Sequence, residues 1–326
     1  MHGFARLVHH EPKIDFVRAR FFAFGVTAVL FVLVIITLAT RGLNLGLDFQ
    51  GGLLIEVARQ DKIDVGEVRQ KVSALGLGDV HVQTSGDRAV MIRAKKPSEV
   101  VEPKPGETTQ PGESAEARAF KRIRDALGPG YQVLRQEFVG PTVSEGLFRD
   151  GMIATGLALL AIALYMAVRF EWQFGVAGLI ANFHDVTIAV GVYSATGLEF
   201  DLVSIAALLT LAGYSINETI VIFDRLRENM RRYKKTGFKE IINFSVNQNL
   251  FRTVMTAGSV LVAVLPMLIF GGEALFAFTL AIVVGIVVGT YSAIYVSSSL
   301  LIYLPTVRKW REEKEDKGGA PAKARA

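Results

Sequence analysis

The chain is 326 residues long and 51% apolar, with a mean hydropathy of +0.36, and its six separate apolar runs exclude an ordinary water-soluble class. The formal charge of +5 does not point to nucleic acid, because the basic residues gather beside the ends of those runs, where topology accounts for them. With no cysteine, and with His2, His9 and His10 among the five histidines falling in the N-terminal segment, no disulfide framework, thiolate site or metal-ligand spacing is available. Lack of cysteine permits an oxidising compartment.

Residues 1–20 form a polar, basic lead carrying Arg6, Lys13, Arg18 and Arg20. Segment 21–43 holds the first span, from Phe21 to Ala39. Its apolar run exceeds a signal-peptide core and no A-x-A pattern follows, so it reads as an uncleaved anchor. The stretch from Arg41 to Gly52 then reads as a tight turn feeding a strand, since glycine adopts positive φ without steric cost.

The insert 44–145 has the order βαββαβ. Gly52–Arg59 alternates as a strand. Asp64, with Glu67 three residues on, caps a helix in which Val65, Val68, Val72 and Leu75 recur at helical spacing. Asp79–Thr84 and Arg88–Arg93 are short strands joined at Ser85-Gly86-Asp87. Lys95–Pro111 is a solvated loop. Ser114 caps a second helix with Phe120, Ile123 and Leu127 on one face, and Tyr131–Val139 is the last strand. This is the split βαβ arrangement of ferredoxin-like folds. No catalytic or metal constellation emerges from it.

Segment 146–223 holds spans two to four, at about 151–168, 174–195 and 202–223; 224–253 is a charged loop, and 254–304 holds spans five and six. A run of about 20 residues rises about 30 Å, enough to cross a bilayer. The 224–252 stretch carries Arg225, Arg227, Arg231, Arg232, Lys234, Lys235, Lys239 and Arg252, and both termini are basic, including the tail 305–326. The positive-inside rule therefore predicts cytoplasmic termini and loop, with 44–145 outside. Within the loop, Phe238, Ile241, Ile242, Val246 and Leu250 share one face, predicting an amphipathic helix on the membrane surface or against the next span.

Ionisable groups at membrane depth are costly and mark pathways, relays or structural partners. His184 and Asp185 sit near the middle of span three. Asn217 and Glu218 lie in span four, about a turn and a half before Asp224. Arg252 stands at the start of span five, followed by Thr253 and Thr256. Spans three and four are antiparallel neighbours, so their polar faces can meet. In general, burial pushes a carboxylate towards its neutral form and a nearby Arg pushes it back, the condition for loading and unloading a proton. The bland alternatives are a structural His184–Asp185 pair that fixes helix rotation, and an Arg252 that binds lipid phosphate. Gly285-x-x-x-Gly289 matches the small-xxx-small packing pattern, with no partner named by the sequence.

Gly46-Leu47-Asp48-Phe49-Gln50-Gly51-Gly52, Phe138-Val139-Gly140-Pro141, Phe170-Glu171-Trp172, His184-Asp185-Val186, Gly213–Asn229 and Arg252-Thr253 together resemble, in order, the motifs of the SecF family. These are subunits of bacterial SecDF protein-export complexes, in the resistance-nodulation-division (RND) transporter superfamily. The resemblance implies a six-span half of a twelve-span unit in the bacterial inner membrane, with a SecD subunit as the other half. It implies further partners in a SecYEG-like channel, accessory translocon proteins, preproteins and membrane lipids. The proton gradient would help draw secreted proteins out of the channel. The expectation is thus of protons as the coupling ion, with no other cofactor, no metal and no enzymatic activity. Glu218 takes the position of an essential carboxylate that is often Asp, and Arg252 that of an essential Arg; Asn217, His184 and Asp185 complete the expected pathway. Two other readings stand beside this one: an RND-type exporter of a lipid or small molecule, and a translocon scaffold that moves no protons.

Overall fold

The computed structural model describes residues 13–61, 63–78, 80–85, 88–94 and 114–304. Residues 1–12, the centre of the Ser85-Gly86-Asp87 hairpin, the 95–111 loop and the tail 305–326 lie outside the described residues. In chain order the elements begin with α1 (Arg20–Thr40), β1 (Asn44–Leu45), α2 (Leu47–Gln50), β2 (Gly52–Ala58), α3 (Val65–Ser73), β3 (Val80–Ser85) and β4 (Ala89–Ala94). They continue with α4 (Ala115–Leu127), β5 (Gln132–Val139), α5 (Pro141–Arg169), α6 (Trp172–Thr196) and β6 (Glu199–Phe200). Then follow α7 (Leu202–Arg232), α8 (Phe238–Phe270) and α9 (Gly272–Tyr291), the last prolonged by a π-helical turn, Ser292–Ser297, and two short turns to Tyr303. Two compact units result. One comprises Leu45–Ile153 with Phe200–Leu202; the remaining described residues form the other.

The first unit contains a four-stranded antiparallel sheet in the order β3-β4-β2-β5, which with α3 and α4 is the βαββαβ ferredoxin-like arrangement. Each helix starts where its cap allows: Asp64 Oδ1 accepts the Gly66 and Glu67 amides, and Ser114 Oγ accepts that of Ala117. Val68, Val72, Phe120, Ile123 and Leu127 then meet Leu53, Ile55, Val57, Val90 and Ile92 in one core. The Gly-Gly pair has a specific reason. Gly51 and Gly52 have φ of 67° and 117°, and a Cβ on Gly51 would stand 2.9 Å from Ser144 Oγ and 3.2 Å from the Val139 carbonyl. Asp48 Oδ2 accepts the backbone N–H of Leu202 at 3.2 Å, and the Gly46 N–H donates to the Phe200 carbonyl at 2.8 Å.

The second unit is helical. Six helices are long and apolar enough to cross a membrane among the described residues, so this is a multi-pass membrane protein. Their burial sorts them: 56% of the apolar window of α6 and of α7 is enclosed, against 11% for α1, α5 and α8. Helices α6 and α7 are therefore the inner pair, and they carry the ionisable residues. Glycines permit the close approaches. A side chain on Gly191 of α6 would overlap Val34 of α1, and one on Gly285 of α9 would overlap Leu211 of α7. Gly289 rests against Ser215, one turn beyond Leu211, so the 285/289 pair has its partner in α7. At the end bearing the basic loop, Phe170, Phe174 and Phe223 pack edge-on or tilted, with centroids 5.2–6.1 Å apart, above Met166 and Leu226.

Two elements differ from expectation. The amphipathic segment is not separate from span five: Phe238–Phe270 is one helix of 33 residues. No glycine or proline interrupts residues 238–257, and the apolar face of Phe238, Ile241, Ile242 and Val246 is buried in the helical core. Likewise α7 continues past the apolar run to Arg232. The N-terminal lead is bound to the same stretch of α8. Asn247 Oδ1 accepts the Ile14 N–H at 3.0 Å while its amide donates to the Ile14 carbonyl at 2.8 Å; Asn243 Oδ1 accepts the Val17 N–H. The Asp15 carboxylate is held below its ordinary range by the Arg18 N–H and then by the Asn243 amide.

Candidate functional site

Asp185 is fully buried and stands where three helices meet. Its Oδ2 accepts from Ser215 Oγ of α7 and, at 2.6 Å, from Ser292 Oγ at the start of the π-helical turn; its Oδ1 lies 2.8 Å from His184 Nδ1. The His184 ring turns Nδ1 to this carboxylate and leaves Nε2 without a partner among the described residues. The His184 ring lies beside Phe31 of α1 and Tyr291 of α9, at centroid distances of 5.6 and 6.4 Å. Gly289 keeps the junction open, since a Cβ there would stand 3.3 Å from Ser215 Cβ and 3.6 Å from Asp185 Oδ2. The π turn widens the helix at this point, and hydroxyls at its end bond back to it: Ser297, and Ser298 just beyond, donate to the Ala293 and Ile294 carbonyls.

Glu218 is one turn from Ser215 on α7, on the same flank, and is 2% exposed. Its Oε1 accepts from Thr256 Oγ1 of α8 at 2.9 Å. The same hydroxyl lies 3.0 Å from both the Arg252 and the Thr253 carbonyls. A threonine hydroxyl carries one proton and can accept as well as donate. It can therefore donate to an ionised Glu218, or accept from a protonated one while turning its own proton to a backbone carbonyl. A single neutral hydroxyl is nonetheless thin compensation for a buried negative charge.

Around this contact lie further polar atoms. Tyr214 brings its hydroxyl towards Thr256 and Thr290 without closing a hydrogen bond, and Thr219, Thr253 and Asn182 also bury polar atoms unpartnered among the described residues. Not all the residues singled out from sequence converge. Asn217 is exposed, because successive helical residues point about 100° apart and Glu218 takes the inward direction. Arg252 is also exposed, and no ion pair joins it to Glu218 among the described residues; its link to Glu218 runs through its carbonyl and Thr256. The sequence places Thr256 beside Arg252 at the start of span five, but it pairs neither Thr256 nor Ser215 or Ser292 with a carboxylate. Hydroxyl residues are common in membrane helices, and only the packing reveals which of them meet a carboxylate.

Comparison with known proteins bears on this arrangement. A profile for the C-terminal part of the protein export membrane proteins SecD and SecF matches residues 119–307, and the SecD/SecF GG motif matches residues 36–61, around the glycine pair described above. The chain is 41% identical over 318 residues to a protein translocase subunit SecF of Desulfurispirillum indicum, covering 93% of this chain and 97% of the other. It is 38% identical to that of Vibrio alginolyticus, covering 92% of each. The crystal structure of SecDF, a translocon-associated membrane protein from Thermus thermophilus, superposes with a TM-score of 0.79 at 35% identity. That match covers 92% of this chain but only 39% of the longer SecDF chain. The chain belongs to the SecD/SecF family of protein export membrane proteins, on its SecF branch.

Proposed function

We propose that this translocase subunit pairs with a SecD-type subunit and uses the proton gradient to promote passage of secreted proteins through the Sec channel, with Glu218 as the group that gains and loses the proton. The observation that carries the proposal is the Glu218–Thr256 contact: a carboxyl group inside the bundle whose hydroxyl partner can serve it in either protonation state. Its energy scale fits. Moving one charge through 100 mV releases about 2.3 kcal/mol, enough to bias a two-state motion more than tenfold and too little for covalent chemistry. Asp185, tied to three helix segments, is the group through which a change at α7 would be felt by α6 and the π turn, with His184 as its proton-bearing neighbour. Arg252, exposed one turn from Thr256, supplies the counter-charge when Glu218 is ionised. Asn217, on the exposed flank of α7, is then a contact for the second subunit.

The greater length of the related SecDF chain supports SecD as that second subunit. The basic-residue asymmetry supports an inner-membrane orientation with termini and basic loop in the cytoplasm and 44–145 outside. The same reading treats preproteins as substrates, the channel and its accessory proteins as partners, and protons as the coupling ion, without a metal, an organic cofactor or enzymatic activity.

The test is gradient-dependent secretion in cells carrying each variant at equal membrane abundance. Glu218→Gln should assemble yet lose gradient-dependent export, Glu218→Asp should retain part of it, and Arg252→Ala should fail like Glu218→Gln. Full secretion with Glu218→Gln would discard the proton role and favour a passive scaffold.

A further inference from the structure

A second polar site lies away from the carboxylates, at the ends of α5 and α7. Arg169, Asp224, Arg227, Glu228, Arg231 and Arg232 line a cavity of about 600 Å³. Its two acids are already engaged: Asp224 accepts from Arg169 at 2.7 and 2.9 Å, and Glu228 accepts from Arg225 at 2.7 Å. Arg227, Arg231 and Arg232 have no carboxylate partner among the described residues, so the cavity keeps uncompensated positive charge. Part of it is held in place. The Arg227 guanidinium donates to the Arg169 carbonyl at 3.1 Å and lies 5.4 Å from the centre of the buried Phe170 ring, which Arg169 also approaches, at 4.9 Å. A guanidinium fixed by a ring and a carbonyl still has N–H groups to offer an anion.

The neighbouring surface is apolar. Leu157, Leu160, Leu164 and Val168 of α5 form one helical stripe, all exposed, ending at Val168 (81% exposed) beside Arg169, with the exposed Trp172 just beyond. Basic groups at a span's end above an exposed apolar stripe match the two halves of an anionic lipid, and an aromatic residue at that level suits the boundary between them. A free anion would account for the arginines but not for the stripe.

We propose that this cavity binds the phosphate headgroup of an anionic membrane lipid, with Arg227 and Arg231 holding the phosphate and the acyl chains lying along α5. The site is independent of the proton chemistry proposed for Glu218.

The test uses the full-length chain purified in non-ionic detergent, with bound lipid counted by native mass spectrometry after titration with phosphatidylglycerol or phosphatidylcholine. Wild type should retain phosphatidylglycerol preferentially. Arg227→Gln with Arg231→Gln should weaken that retention by roughly fivefold for each charge removed. The pair Lys234→Gln and Lys235→Gln, which removes equal charge outside the cavity, should weaken it less. Because Arg227 also braces Phe170, Arg231→Gln alone is measured too and should show the single-charge loss. Equal losses from the cavity and control pairs, or phosphatidylcholine retained as well as phosphatidylglycerol, would overturn the proposal. So would displacement of the lipid by millimolar inorganic phosphate, which would mark a free-anion site.

Discussion

Thr256 has a single hydroxyl proton and three acceptors within about 3 Å: Glu218 Oε1 and the carbonyls of Arg252 and Thr253. Thr256→Val keeps the shape and removes the hydroxyl, so both protonation states of Glu218 lose their partner. A hydrogen bond to a charged group contributes about 1.5–3 kcal/mol, so gradient-dependent secretion should fall on the order of tenfold at unchanged abundance, with Thr256→Ser close to wild type. Normal secretion with Thr256→Val would show that Glu218 does not work through this hydroxyl. The ionisable residues themselves were legible in the sequence, since Glu218, His184 and Asp185 interrupt apolar runs. The separation of Asn217 from Glu218 was not read, because a buried helix face can take in adjacent residues, as it does with His184 and Asp185, and only the packing shows which neighbour is left outside. What could not be read was the choice of Thr256, Ser215 and Ser292 among many hydroxyls, since it depends on which helix faces fall opposite one another.

At the scale of elements, the ferredoxin-like unit followed its local signals closely: caps at Asp64 and Ser114, helical spacing of valines, and alternating strands. Periodicity alone could not tell that the amphipathic segment and span five are one helix, because a change of face composition need not break a helix. The Gly285/Gly289 spacing foretold close packing, and the structure supplies Leu211 and Ser215 as its targets. Gly285→Val would drive into Leu211 and force α7 and α9 apart, at a cost of about 1–3 kcal/mol. The expected outcome is a thermal unfolding midpoint several degrees lower for the purified chain in detergent. Gly258→Ala, where a Cβ meets nothing within 4 Å, should leave the midpoint unchanged or slightly higher. Equal midpoints for Gly285→Val and wild type would show that the α7–α9 contact is not tight.

For the whole molecule, the inner helices carry one buried carboxyl group each, Asp185 on α6 and Glu218 on α7, and each is answered by hydroxyls from other helices, with Ser215, the α7 partner of Asp185, one turn from Glu218. Asn217 and Arg252, by contrast, are exposed on α7 and α8. Proton movement through the assembled unit, read with a pH-sensitive dye in proteoliposomes containing the chain and its SecD-type partner under an imposed membrane potential, tests the central claim most directly. Wild type should conduct protons, Glu218→Asp should conduct part as many, and Glu218→Gln should fall at least about tenfold, to the level of liposomes lacking the complex. Proton flux through Glu218→Gln equal to that of wild type would contradict it.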